Sequence, residues 1–494
     1  MLNFLSDMIA DWFKGVYTST SALHIDEIND FTKYERMCSD TVHFIAFHHI
    51  SASEFHAVEK HLSKFILSRT PIDLNQVWRL YSSLHCVVRC NFCAISRYLD
   101  MKFVAPKLLT LSSTQLPIPG SFDPYVKKYT AVSIAAFNRE IQVLTSKQHP
   151  RRLELNGSDG RTYVFLLKGH EDLHQDECVM QVFALINSII RKKDMRRHTC
   201  LKIRLYTVLP LSHCTGLVGW VHKCSTVYEL IARFRARVGI AFDTELNMLN
   251  RMAPEYEILP SLMSEEVFTH VLRRTRNRDL RKMLLLVSKC VEMWLRGISN
   301  FGQSLAIASF SGYILGIGDR HLSNIMVDRI SGQIVHVDFG ECFDECNSRQ
   351  SYPEYVPFRL TEQFVNVSSI HEIDASYRNC ATLSVRILRE HGLCILAMLE
   401  SFISECIVGD GSVQIQTALP SIKAKHRRIF DRESAQNIHL TSDYNLINQT
   451  RKKISGGEFL EAELSEYEQL GLLIFEARSP VYLSAMYPGW CPLI

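Results

Sequence analysis

The chain has 494 residues, 47% of them apolar and 22% charged, with a formal net charge of +3. That length calls for two to four domains, and the apolar share excludes a disordered chain. The small charge gives no argument for nucleic acid as a main partner, and no run approaches the roughly 18 apolar residues of a membrane span.

The start, MLNFLSDMIADWFKG, lacks the basic stretch and small-residue cleavage site of a signal peptide. The first 103 residues read as a helical segment: Phe55, Val58, Leu62, Phe65 and Ile66 recur near a 3.6-residue period, and a second such run follows Pro71. His85, Cys86, Cys90 and Cys93 share a helical face. They read as buried helical thiols rather than a metal site, since no second ligand pair is nearby. Fifteen scattered cysteines fit reduced thiols of a cytosolic or nuclear protein.

From Pro106 short β-type runs appear: Val132 to Ile134, Gln142 to Leu144, and a hairpin of Arg152–Leu155 with Thr162–Leu167 around Asn156-Gly157-Ser158-Asp159-Gly160. Lys168 ends the second strand of that hairpin. It is either a strand-end lysine reaching solvent or a phosphate-binding lysine held by a carboxylate at the following helix, Glu171 or Asp176. Strand-like segments at Leu201–Pro210 and Gly216–Val221 come next. Helices are then expected at Tyr228–Val238, Ser264–Arg274, Leu280–Arg296 and Gly302–Leu315, and later at Ala381–Arg389, Cys394–Cys406 and Glu461–Ala477. A small β-rich lobe before a larger helical lobe is a two-lobed α+β architecture with a nucleotide cleft at the junction. The divisions are 1–103, 104–222, 223–408, a polar linker or insert at 409–461, and a C-terminal helical piece at 462–494.

The most informative stretch is GDRHLSNIMVDRISGQIVHVDFGECF, residues 318–343. Two β-type segments bracket a turn at Arg329–Gly332, bringing Asp319, His321 and Asn324 together with Asp338 at one end of a hairpin. A group to handle an attacking hydroxyl, with an amide and a carboxylate for a metal on nucleotide phosphates, is what phosphoryl transfer requires.

With TSKQHP, TYVFLLKGHEDLHQDE, GLVGWVHKC, RMAPEY, PFRLT and the terminal GWCP, this stretch resembles the phosphatidylinositol-3-kinase-related protein kinases, in their target-of-rapamycin branch, over about four-fifths of the chain. The resemblance implies a two-lobed kinase fold ending in a FATC helix and an ATP-dependent serine/threonine kinase of growth signalling. It implies magnesium, with manganese as the alternative. Ser146 would lie in the phosphate-covering loop, and Lys168 would hold phosphates with Glu171 and Asp176 as its carboxylates. Tyr206, Gly219, Trp220 and Val221 would form the adenine pocket and hinge, with Met326 and Val337 beneath the base. Asp319 and His321 would act on the hydroxyl, and Asn324 and Asp338 would hold the metal.

Protein substrates are favoured over a phosphoinositide, because Glu341, Asp344, Glu345 and Glu354 outnumber Arg349 in the loop that would receive an anionic headgroup. An inactive scaffold is disfavoured, since the lysine, the chelating groups and the Asp-Arg-His set are all kept. The resemblance further implies a WD-repeat propeller partner on Ile231–Met263 and a cytoplasmic location, with endomembrane surfaces and the nucleus as further sites. The apolar tip, Tyr482 to Trp490, either packs on the helical lobe or touches a membrane surface, with packing favoured. Two departures are expected to matter. Trp78 and His85 in a drug-binding-like segment predict weak rapamycin sensitivity, and Ser484 opposite Cys491 predicts no disulfide at the tip.

Overall fold

The computed structural model describes Lys60, residues 98–408 and residues 446–494, apart from short stretches at 112–115, 122–131, 145, 147, 194–200, 255, 257–258, 276, 350–351, 369–374 and 460–462. The expectations for Trp78, for the His85–Cys86–Cys90–Cys93 cluster and for residues 409–445 lie outside the described residues.

The chain divides into two compact units, one of residues 1–106 with 139–149 and one of 107–138 with 150–494. In the first unit, strand Tyr98–Asp100 pairs antiparallel with Glu140–Val143, opposing Leu99 to Ile141. Asp100 then caps a short helix, Met101–Val104, through the Lys102 N–H. The sequence reading carried helix through these residues; pairing with a partner forty residues on overrides local propensity. Ser146 belongs to this unit and is exposed at a bend.

The second unit opens with an antiparallel sheet of β1 (Ile134–Phe137), β2 (Arg151–Gly157), β3 (Thr162–Gly169), β4 (Val208–Ser212) and β5 (Thr215–Gly219), in the order β1-β2-β3-β5-β4. Its inner face is a small core of Ile118, Ile134, Leu155 and Phe165. α1 (His174–Lys193) packs against this lobe through Val179, Val182, Phe183 and Ile186, all buried. Those positions are three or four apart, as a core-facing helix requires.

β6 (Cys224–Thr226) leads into α2 (Val227–Val238), capped when the Thr226 hydroxyl accepts the Glu229 N–H at 3.1 Å. α3 (Thr244–Met252), α4 (Ser261–Arg274) and α5 (Asp279–Val287) follow. Arg235, 2% exposed, ties three of these helices together, donating to Glu245 at 2.6 Å and Asp279 at 2.8 Å.

Next comes α6 (Val291–Ile314), whose residues from Phe301 onward are buried apart from Gln303. The sequence suggested a break near Gly297 and none near Ser288; the structure has the reverse. At Ser288 the hydroxyl and N–H both turn back to the Leu284 carbonyl, ending α5. Gly297 sits inside α6, and it is the missing side chain of Gly332, at φ +76°, that lets the turn lie against it, since a Cβ on Gly332 would meet the Gly297 carbonyl oxygen at 2.3 Å. After β7 (Ile325–Asp328) and β8 (Ile334–His336) come α7 (Glu362–Ser368), α8 (Ala375–Glu390) and α9 (Gly392–Val408).

The stretch read as linker ends before residue 446, because α10 spans 446–455 and its Lys453 is buried, bridging Asp344 at 2.6 Å. α11 (Glu466–Ala477) starts at a capping box between Ser465 and Glu468, and α12 (Pro480–Ser484) precedes the tip. The tip packs: Leu483, Met486, Trp490 and Leu493 join Leu249, Phe268 and Val271 in one core cluster, leaving Tyr487 and Val481 exposed. Ser484 is buried and its carbonyl accepts the Tyr256 hydroxyl at 3.0 Å.

Gly316, at φ +56°, ends α6 against the loop that follows β8. A Cβ there would meet the Asp344 backbone nitrogen at 2.4 Å. Gly160 also has positive φ, but nothing lies within 4 Å of its would-be Cβ. Gly316→Ala is therefore expected to cost upwards of ~2 kcal/mol and Gly160→Ala nearer ~1. Denaturant melts of the two variants check the difference.

Candidate active site

Lys168 is the last residue but one of β3, and its ammonium reaches two carboxylates, Glu171 Oε2 at 2.9 Å and Asp338 Oδ1 at 3.3 Å. Burial pulls the lysine pKa down, but the charges of Asp338, Glu171 and Asp176 outweigh it and leave the pKa raised. Asp176 was expected to pair with Lys168. Instead its Oδ1 accepts the Phe339 N–H at 3.1 Å, so it holds the backbone of the Asp338-Phe339-Gly340 turn. Burial, 3% exposed, pushes its pKa up to about 6, against the opposing Lys168 charge.

Phe339 is itself fully buried, stacked on Tyr206 at 6.5 Å and edge-on to Phe183 at 5.8 Å. Tyr206 is thus half-buried beneath the turn, its hydroxyl pKa pushed up by burial and by Asp176. The hinge segment leaves β5 at Gly219, whose N–H donates to Thr207 O at 2.7 Å, and the Trp220 N–H donates to Val164 O at 2.9 Å. Trp220 is 37% exposed, with the Arg152 guanidinium 5.5 Å above its ring. The Val221 N–H has no hydrogen-bond partner among the described residues, so it is available to a ligand.

Beyond the hinge, β6, β7 and β8 form a second sheet that puts Thr226 opposite Met326 and Met326 opposite Val335. This register ties the hinge to the catalytic hairpin. The turn of the hairpin is fixed by Asp328, whose Oδ1 accepts the N–H groups of Ile330 and Ser331 and whose other oxygen bonds Arg204. At the open end Val337 N–H donates to Asn324 O at 3.0 Å, which places Asn324 and Asp338 at the same end. Met326 and Val337 are half-buried there.

Asp319 and Asp338 both have left-handed backbones, φ +55° and +64°, and their side chains remain 37% and 48% exposed. Asn324 Nδ2 donates to the Asp319 carbonyl at 3.0 Å, which leaves the Asn324 amide oxygen for another partner. His321 Nε2 stands 4.0 Å from Asp319 Oδ2, and His321 Nδ1 accepts the Ser323 N–H at 3.1 Å. Burial lowers the His321 pKa despite Asp319, with Arg320 and Arg359 adding to the fall. The neutral ring then carries its proton on Nε2, facing Asp319.

Three residues given no role from the sequence hold this site. Arg320 donates to the carbonyls of Gly318, Val337 and Asp338. Glu354 accepts the Asp319 N–H at 3.0 Å. Arg359, in PFRLT, donates to the carbonyls of Arg320, Trp490, Cys491 and Ile494. Most of the acidic charge in the loop before PFRLT is neutralised within the fold. Glu341 and Glu354 are both spent on Arg349, and Asp344 on Lys453.

The chain is similar to known proteins. The family model described as phosphatidylinositol 3- and 4-kinase matches residues 162–409, and that of the FATC domain matches residues 463–494. The chain is 33% identical to the serine/threonine-protein kinase tor1 of Schizosaccharomyces pombe over 97% of this chain and 22% of that protein. It is 39% identical to the serine/threonine-protein kinase TOR of Arabidopsis thaliana over 68% of this chain and 13% of that one. Among solved structures, the FAT and kinase domain of CtTel1 superposes with a TM-score of 0.60 at 25% identity, covering 76% of this chain and 25% of that one. The chain spans about a fifth of the length of the first curated relatives it matches.

The raised Asp176 pKa has a consequence for stability. Between the ordinary carboxylate value of 3.8 and about 6, the folded chain holds a proton that the unfolded chain has released, so stability falls as pH rises through that window. Asp176→Asn is expected to remove this slope, gaining up to ~3 kcal/mol relative to the parent between pH 4 and pH 7, at 1.36 kcal/mol per unit. Denaturant melts across that range test it.

Proposed function

The chain belongs to the phosphatidylinositol 3- and 4-kinase family, and we propose that it transfers the γ-phosphate of ATP to serine or threonine hydroxyls of protein substrates. The observation that carries the proposal is the convergence of Lys168, Asp338, Asn324 and Asp319 on the open end of one hairpin. The protein acceptor rests on the names of the relatives, both serine/threonine-protein kinases, and no longer on the acidic loop. A growth-signalling role follows from the same likeness.

The donor set fits the magnesium that the family implies. Asn324 and Asp338 offer hard oxygen ligands, and Asp338 is half exposed beside a lysine positioned for phosphate. Such an ion, when bound, would supply positive charge against the nucleotide phosphates. Manganese would suit the same oxygens. Lys168 keeps its bond to Glu171 and directs its charge at the phosphates. The backbone of Val221 reads the adenine, with Trp220, Tyr206, Met326 and Val337 as walls. Asp319 accepts the hydrogen bond of the substrate hydroxyl and orients it. His321, neutral with its proton on Nε2, donates to Asp319 or to the oxygen on which charge develops; it does not act as a base, because Ser323 occupies Nδ1.

Positioning and charge therefore supply the catalysis. Asp338→Ala is expected to lower turnover at least ~100-fold, the scale for one preorganised electrostatic group, with the fold retained by circular dichroism. Radiolabelled ATP with a peptide library and, separately, with phosphoinositide vesicles is the assay. Label on lipid alone would reassign the acceptor, and near-parental activity of the variant would remove the metal role.

We further propose that residues 231–263 carry a WD-repeat propeller partner. Val238, Ile240, Met252, Leu262 and Met263 are exposed apolar side chains there, Leu262 at 80%. The segment beneath is held rigid by Arg235. Contact of the tip with a bilayer is not part of the proposal, since Met486, Trp490, Leu493 and Ile494 are spent inside the fold. A cytoplasmic location accords with thiols such as those of Cys214, Cys290 and Cys394, exposed and outside any disulfide. Changing Leu262 and Met263 together to Glu is expected to abolish co-purification with a co-expressed propeller while altering phosphotransfer less than about twofold, since surface changes are mild. Undiminished recovery of the propeller would refute the platform.

A further inference from the structure

We propose that Asp172, His174 and His213 form a binding site for a divalent transition-metal ion of the zinc type. Their ligand atoms, one carboxylate oxygen and two imidazole nitrogens, all lie within 4.8 Å of one another. Two separate elements deliver them. Asp172 and His174 flank the entrance to α1, and His213 stands in the two-residue turn between β4 and β5.

Packing fixes that meeting point. Leu173, between the two first ligands, is 1% exposed and lies against Gly216 in β5, where a Cβ would come within 2.6 Å of its Cδ1. The missing side chain of Gly216 is what lets the entrance of α1 close on the hairpin. His174 and His213 then face each other with ring centroids 5.8 Å apart.

A bland account exists for part of the cluster. Asp172 Oδ1 accepts the His174 backbone N–H at 3.1 Å and contacts its Nδ1 at 2.6 Å, as a local helix cap would. It does not account for a second imidazole arriving at the same point from another element. Bonds of about 2.0–2.2 Å in a tetrahedral zinc site put ligands roughly 3.4 Å apart. The cluster reaches that spacing if the exposed His213 side chain moves inward by about an ångström and the 2.6 Å contact between Asp172 and His174 opens by about as much, the ion replacing the proton they share. Two imidazoles select zinc, nickel or copper over magnesium and calcium, which prefer oxygen throughout. Three protein ligands leave a fourth position for water. The positive end of α1 opposes a cation, and the acidic side chains of its first turn, Asp176 and Glu177, offset that end.

An ion here would lock the turn between β3 and α1 to the β4–β5 hairpin. Glu171, which holds Lys168, immediately precedes Asp172, and β5 runs directly into Gly219. Control of the Lys168 position by occupancy rests on the kinase reading above; the site itself does not.

The test uses the whole chain, stripped of metal by chelator and titrated with cobalt(II) while visible absorption is followed. Zinc competition and elemental analysis after dialysis complete it. One ion per chain is expected, displaced by zinc. His213→Ala and His174→Asn are each expected to weaken binding at least ~10-fold, since loss even of partners outside the coordination sphere costs that much. Metal-free melting curves confirm that both variants fold. Binding that is unchanged in both folded variants, or absent from the parent at micromolar metal, overturns the proposal. Asp338→Ala should retain the cobalt spectrum, so failure of the phosphotransfer reading leaves a different signature.

Discussion

The guanidinium of Arg320 is the constraint on which the site depends. It is 3% exposed and bonds carbonyls on both sides of the hairpin opening, Gly318 before Asp319 and Val337 and Asp338 after β8. Its plane also lies 5.5 Å from the Phe339 ring. A lysine has one ammonium point and could not span three carbonyls in this fork geometry. With Arg320 in place, the two left-handed aspartates, each costing ~1–3 kcal/mol of backbone strain, are over-determined by neighbours. Glu354 fixes the amide of Asp319, and Asp176 fixes the amide that follows Asp338. Both carboxylates stay partly exposed while the backbone around them is held by hydrogen bonds.

A second arginine couples this opening to the end of the chain. Arg359 is 2% exposed, and burial pulls its pKa down to about 9. Such a charge is tolerable only when fully solvated by the protein. Arg359 meets most of that condition: its two terminal nitrogens donate to the carbonyls of Arg320, Trp490, Cys491 and Ile494 and its Cζ lies 4.1 Å from the Trp490 ring, while its Nε has no partner among the described residues. Removing the tip would leave the charge bare beside the Arg320 carbonyl. The apolar C-terminal residues are therefore part of the catalytic lobe's interior, which explains why their hydrophobicity does not mark a free membrane-facing surface.

How much of this the sequence disclosed depends on how local each signal is. The hairpin was legible because Asn324 and Asp338 bracket two short β runs and a Gly-containing turn, all within fifteen residues. Lys168 was legible at the end of an apolar strand, and so was its partner Glu171, three residues on. Asp176 interacts with the Lys168 charge, as expected, but its hydrogen bond was illegible, since a carboxylate near a lysine in sequence gives no hint of an amide 163 residues away. Arg359 was illegible for the same reason: its partners are backbone carbonyls, which every sequence supplies everywhere. The acidic loop was weak support for the acceptor that the relatives also favour, because composition counts charges without saying which are already paired; Arg349 and Lys453 account for three of the four carboxylates. The helix break near Gly297 failed because a glycine can mark a close approach as readily as an end.

Charge balance around Lys168 gives the last step. Three carboxylates, Glu171, Asp338 and Asp176, surround one ammonium. Asp176, the most buried of them, has its pKa raised and is engaged by a backbone amide. Glu171 makes the shorter contact, 2.9 Å, and Asp338 the longer, 3.3 Å, from a side chain that is nearly half exposed. An ammonium has three donors, so Lys168 can keep Glu171 as its anchor and still have two N–H groups for an anion. The geometry thus separates a fixed pair from an exchangeable one. Asp338 is free to serve a cation because Lys168 does not need it to stay in place, and that division of labour is set by which carboxylate sits at the strand end and which at the hairpin mouth.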